Sequence, residues 1–292
     1  MTALRHRMTQ DLQLRGYADR TVEAYVRAVA ALAQFYDTSP DQLSEEQVRQ
    51  YLLHLSTVRK VARSTHTIAL CGLKFFYEQT LGRSWTVLDV ARPKREKKLP
   101  VVLSRGEVWR ILDAVRIDVY RACLTTIYAC GLRLMEGAQL QVADVDGART
   151  LLHLRAAKGG TDRYVPLPDD ALALLRDHWR THRNPRWLFP ALPAGARVHA
   201  PATAPAATPI TRSSLQRAFH RALLQSGVHK RAHVHALRHS YATHLLEAGV
   251  TLPLIQEALG HTSLRTTALY THLTRALRDA ALEPINGLMQ HP

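Results

Sequence analysis

Along the first 88 or so residues, apolar side chains recur at three- and four-residue intervals and are interrupted by turn residues. Val22, Tyr25, Val26, Val29 and Leu32 predict a helix opening near Thr21, just after Gly16 and Asp19. Ser44 followed by Gln47 is a capping-box signal for a helix through Val48, Tyr51, Leu52 and Leu55. Leu70, Leu73, Phe76 and Tyr77 keep helical spacing in a third long segment that stops near Gly82. The pattern is helix, turn, helix throughout, which predicts a small helical bundle over residues 1–88.

Residues 89–103 break that pattern. Pro93 and Pro100 bracket Lys94, Arg95, Lys97 and Lys98, and Arg92 stands just outside, so a regular helix cannot run through the segment. A basic linker is expected here, able to lie along a polyanion. Ser104 and Glu107 then repeat the capping-box signal and open a second, larger helical domain over 104–292. Val108, Ile111, Leu112 and Val115 give its first apolar face, and a helix from about Val119 to Cys130 is interrupted by Gly131. Strand periodicity is confined to Thr150–Leu154 and Tyr164–Leu167, with the turn-forming Lys158-Gly159-Gly160-Thr161-Asp162 between them. Helices are expected from Asp169 to about His182 and from Thr211 to about Gln225, separated by a Pro- and Ala-rich loop over 191–208. The fold class is therefore mainly α, in two domains, the second carrying a small β-hairpin or sheet.

Charge narrows the class of partner. In 292 residues, 39 Lys and Arg against 24 Asp and Glu leave a formal charge of +15, an excess that attracts polyanions and nucleic acid above all. Arg outnumbers Lys, and a guanidinium can grip phosphate bidentately. No apolar run is long enough for a membrane span, and the start of the chain has no apolar stretch of secretory type. Three cysteines without metal spacing suit a reducing cytoplasm.

Four clusters put polar or cationic groups where the pattern would favour inert ones. Arg133 lies in the apolar run after Gly131, and an i,i+3 ion pair with Glu136 would account for it structurally. Lys158 stands at the turn of the strand pair, beside two glycines. His235, Arg238 and His239 share one face of a helix. His235 and His239 also have the spacing of a zinc helix, but no Glu accompanies them to activate water, and Arg238 would place a cation beside the metal. Gly260 closes a helix before His261, and Tyr270 follows nine residues later.

Taken together, two arginines, a lysine, two histidines and a tyrosine suffice for phosphoryl transfer without metal. Arginines can neutralise the non-bridging oxygens as charge builds. Adjacent guanidinium charge favours the anion of a phenol whose ordinary pKa is about 10, and a lysine or histidine can protonate the leaving oxygen.

The order and spacing of Gly131-Leu132-Arg133, Lys158, His235-x-x-Arg238, Leu259-Gly260-His261 and Tyr270 resemble the tyrosine recombinases, the family of phage integrases and Xer-type enzymes. The resemblance implies an N-terminal core-binding domain of SAM-like fold, a linker and a catalytic domain. It implies that Arg133 and Arg238 bind the scissile phosphate, that Lys158 is the general acid and that His235 assists proton transfer. His261 would stabilise the transition state, Tyr270 would form a 3′-phosphotyrosyl bond, and Glu136 and His239 would have supporting roles. No cofactor, ATP or metal is implied. The implied partners are double-stranded DNA recombination sites, bound by a tetramer of this chain or one shared with a second recombinase, with the bundle and basic linker clamping the duplex. Leu273, Ala276 and Leu277 after Tyr270 would dock on a neighbouring subunit or pack on their own domain. A topoisomerase-like relaxing activity and a DNA-binding regulator with vestigial chemistry are the alternatives. Met135 and Cys130 depart from the residues usual in the family, and the 191–208 loop is longer than the family requires.

Overall fold

The computed structural model describes residues 2–90, 99–155, 162–192 and 207–260. The chain divides into two compact units, Met1–Lys97 and Lys98–Pro292. Among the described residues no helix is long and apolar enough to cross a membrane.

The first unit is helical, as its periodicity requires. Helices α1 (Ala3–Leu14), α2 (Asp19–Tyr36), α3 (Glu45–Thr57) and α4 (Arg63–Lys74) are followed by a π-helical segment, Phe75–Thr80, and the short α5 (Val87–Val90). Helix α1 was not evident from periodicity, since only Met8 and Leu12 of its residues are buried. The Ser44 capping box forms as expected, with the Gln47 amide donating to the Ser44 hydroxyl and the Gln47 side chain accepting from the Ser44 N–H. Gly72 lets α4 approach α2 closely: a Cβ there would lie 3.1 Å from the Tyr25 Cα. The third segment is not one α-helix to Gly82. It widens after Lys74, and the wider turn brings Phe75, Phe76 and Tyr77 all into the core. The Tyr77 hydroxyl finds its partner in the Pro40 carbonyl at 2.6 Å.

The second unit opens with α6 (Arg105–Asp113), capped by Ser104 and Glu107, and α7 (Asp118–Ala129). At the end of α7 the chain turns through Gly131 at φ 61°, with the Leu132 N–H reaching back to the Ile127 carbonyl. The short α8 (Leu134–Ala138) follows. An antiparallel sheet in the order β1 (Val145–Asp146), β2 (Leu151–Leu154), β3 (Arg163–Pro166) contains the two expected strands and one that two residues could not signal by alternation. Leu152 and Val165 pair across the β2–β3 ladder and face inward, while Tyr164 faces out and stacks on His153. Helices α9 (Asp169–His182) and α10 (Arg212–Gln225) lie where expected. The centre of the unit is α11 (His235–Glu247), which buries residues on several faces, including Arg238, Ser240 and His244. Buried Ser240 accepts the Leu103 N–H at 2.9 Å, fastening the start of the unit to α11. Helix α12 (Leu252–Leu259) ends at Gly260 in the left-handed conformation, φ 60°.

Candidate active site

Two helix ends and one strand create the site. The turn at Gly131 delivers Arg133 to the position just before α8, where its extended backbone cannot continue a helix. Its N–H donates to Glu136 Oε2 at 2.8 Å, and its Nη1 donates to Oε1 at 2.6 Å. The i,i+3 ion pair suggested by the spacing is therefore present, and Arg133 also reaches away from it. Its Nη2 donates to the Gly260 carbonyl at 3.0 Å, at the end of α12.

Arg238 comes to the same place from α11. Its Nη1 donates to the Gly131 carbonyl at 2.7 Å and its Nη2 to the Leu259 carbonyl at 2.5 Å, with Glu136 Oε2 3.8 Å from Nη1. A third arginine, Arg163 of β3, binds Glu136 with both terminal nitrogens, at 2.9 and 2.8 Å. Three guanidinium groups thus face one carboxylate, leaving two positive charges in excess. Side-chain exposure grades them: 23 % for Arg133, 11 % for Arg163 and 2 % for Arg238.

The electrostatics follow from that geometry. Burial raises the Glu136 pKa, but the hydrogen bonds from Arg163 and Arg133 outweigh it and bring the group down to about 2. Glu136 is therefore ionised at any physiological pH. His235, one turn before Arg238 on α11, is pushed below its ordinary value first by burial and then by Arg238, His233 and Arg133. Its imidazole is neutral at pH 7 and can take up or pass on a proton. The His239 ring packs edge-on against it at 5.2 Å between centroids. Among the described residues no group of three His, Cys, Asp or Glu is arranged to hold a metal. An excess of fixed guanidinium charge beside a neutral imidazole suits a tetrahedral oxyanion such as phosphate.

Residues 102–276 match the family model described as "Phage integrase family", and residues 4–87 match "Phage integrase, N-terminal SAM-like domain". The chain belongs to the phage integrase family, the tyrosine recombinases. It is 40 % identical over 274 residues to a protein of Sinorhizobium fredii named "Putative integrase/recombinase y4qK", covering 94 % of this chain and 85 % of that one. It is 32 % identical over 290 residues to the tyrosine recombinase XerC of Halalkalibacterium halodurans, covering 92 % and 87 %. In fold it resembles a lambda integrase tetramer bound to a Holliday junction, with a TM-score of 0.71 at 16 % identity over 92 % of this chain and 76 % of that chain.

Of the site residues expected in this tyrosine recombinase, Arg133, Glu136, His235, Arg238 and His239 are within the described residues, and the first four surround one another. Lys158, His261 and Tyr270 lie outside the described residues, as do Arg92, Lys94, Arg95, Lys97 and Lys98 of the linker. Sequence reading missed Arg163. The signal was available, because Arg163 shares the inward phase of its strand with Val165, and a cation in an apolar phase calls for a buried partner.

Proposed function

We propose that this tyrosine recombinase cuts and rejoins double-stranded DNA at specific sites through a 3′-phosphotyrosyl intermediate on Tyr270. The observation that carries the proposal is the convergence of Arg133 and Arg238 on the Leu259–Gly260 turn, around a carboxylate that fixes them without cancelling their charge. In this reading the two guanidiniums take the non-bridging oxygens of the scissile phosphate and stabilise the added charge of the pentavalent state. Arg238 is enclosed, so phosphate contact requires its guanidinium to give up part of its carbonyl bonding.

The Tyr270 oxygen attacks phosphorus, and the bond from phosphorus to the 5′ oxygen breaks. Lys158 gives a proton to that oxygen, His235 takes up the proton that the Tyr270 hydroxyl loses, and His261 donates to a phosphate oxygen. Rejoining is the same step in reverse, with a 5′-hydroxyl of the other duplex attacking the phosphotyrosine. One phosphodiester is exchanged for one ester of tyrosine, so ATP is not needed to reseal the strand. Glu136 and His239 support the arginine face. The basic side chains Arg92, Lys94, Arg95, Lys97 and Lys98 neutralise backbone phosphates, with residues 1–88 and 104–292 as the two DNA-binding units. Four sites act around two duplexes in the cytoplasm, supplied by a tetramer of this chain or one shared with a second recombinase.

A plasmid carrying two copies of the flanking sequence of the protein's own gene tests the reading. Wild type should convert it to recombinant circles without ATP and in the presence of EDTA. Arg133→Ala and Arg238→Ala should each lower that conversion by a factor of about 100 or more. Equal conversion by wild type and both variants would refute the role given to the arginines.

A further inference from the structure

Arg163 has no part in the chemistry above, yet all three of its guanidinium nitrogens are hydrogen-bonded within the site. It stands on β3 opposite Leu154, with its side chain directed inward. Both terminal nitrogens are committed to Glu136, which leaves Arg163 little reason or room to touch DNA itself. Its stem fills the space over the end of α12: a Cβ on Gly260 would lie 2.8 Å from Arg163 Cδ and 3.0 Å from Nε. One side chain therefore joins β3, α8 and the Leu259–Gly260 turn, and that turn accepts from both Arg133 and Arg238.

We infer that Arg163 is a positioning residue for the two phosphate-binding arginines, acting by saturating Glu136 and bracing the turn at Gly260. The inference rests on the recombinase reading above. Its physical content is competition for a buried anion. Without Arg163, the Arg133 N–H is the hydrogen bond that Glu136 Oε2 keeps among the described residues, and Arg238 Nη1 lies 3.8 Å away. A buried carboxylate oxygen short of partners draws a neighbouring cation not yet hydrogen-bonded to it, so Arg238 would turn toward Glu136 and away from the phosphate. A displacement of that size is enough to cost about 100-fold in rate.

The test measures single-turnover formation of the covalent protein–DNA complex on a nicked duplex from the flanks of the protein's own gene. The scissile phosphate is either normal or replaced by a methylphosphonate, which lacks one charged oxygen and asks less of the arginines. R163K should bind the duplex within about twofold of wild type but cleave the normal linkage at least about tenfold more slowly. On the methylphosphonate the gap between R163K and wild type should shrink markedly. An equal gap on both linkages, no loss of rate, or a loss explained by weaker binding would each overturn the inference, since a merely structural role does not distinguish the two linkages.

A second comparison holds if R163K folds poorly. R163Q/E136Q, which removes both buried charges together, should cleave faster than R163Q, because no carboxylate short of partners remains to capture Arg238. The reverse order would overturn the inference as well. Absence of covalent product from wild type would count against the recombinase reading instead.

Discussion

At the scale of single residues, Glu136 is the anion around which three arginines gather. Its pKa is held at about 2, well below the ordinary carboxylate range, by Arg163 and Arg133. A lowered folded-state pKa contributes stability that is complete above the unfolded value, near 4.5, and is lost as pH falls from there toward 2. The shift corresponds to roughly 3 kcal/mol at neutral pH. Glu136→Gln should therefore destabilise the second unit at pH 7, and the difference from wild type should narrow when urea unfolding is repeated near pH 3. A difference independent of pH would contradict the assigned partners. Much of this was legible in the sequence. The Arg133–Glu136 spacing gave the ion pair, and the His235-x-x-Arg238 spacing set the imidazole beside the guanidinium. What spacing could not give was that Glu136 has three cationic neighbours, because Arg163 and Arg238 come from distant parts of the chain. Nor did spacing reveal the burial of Arg238 at its centre.

At the scale of elements, local chemistry was the reliable guide and tertiary contacts the unreliable one. Both capping boxes, at Ser44 and Ser104, form because they need only a four-residue segment. Gly131 and Gly260 both adopt positive φ and both end a helix, as their positions suggested. At Gly131 no other residue fits easily, since a Cβ would meet the Tyr241 ring at 2.4 Å. The π-helical segment after Lys74 was not legible, because its apolar residues keep α-helical spacing while the core draws in three successive aromatic side chains. Strand β1 is too short for any alternation to show. The fastening of α11 to the start of the unit is likewise a contact between remote residues. Ser240 accepts the Leu103 N–H and donates to the Ala236 carbonyl, all within the core. Ser240→Ala should leave that N–H without a partner and lower the unfolding free energy of the second unit by about 2 kcal/mol. Denaturant unfolding reads this directly, and a change below about 0.5 kcal/mol would mean that the bond contributes little.

At the scale of the whole molecule, the excess positive charge and the two helical units fit a protein that holds a polyanion. The mainly helical class could be read from periodicity. The reaction could not be read that way. The proposed reaction was read from six residues scattered from Arg133 to Tyr270, whose joint order carries a meaning that none has singly. The fold brings Arg133, His235 and Arg238 together around Glu136. The claim that everything else serves is that Tyr270 becomes covalently joined to DNA. The most direct measurement is trapping on a nicked suicide duplex in EDTA, with wild type and Tyr270→Phe compared on a denaturing gel. The account predicts a protein–DNA band with wild type, unaffected by chelation, and no band with Tyr270→Phe, although the variant still binds the duplex. A band that survives the loss of Tyr270, or that chelation abolishes, would contradict it.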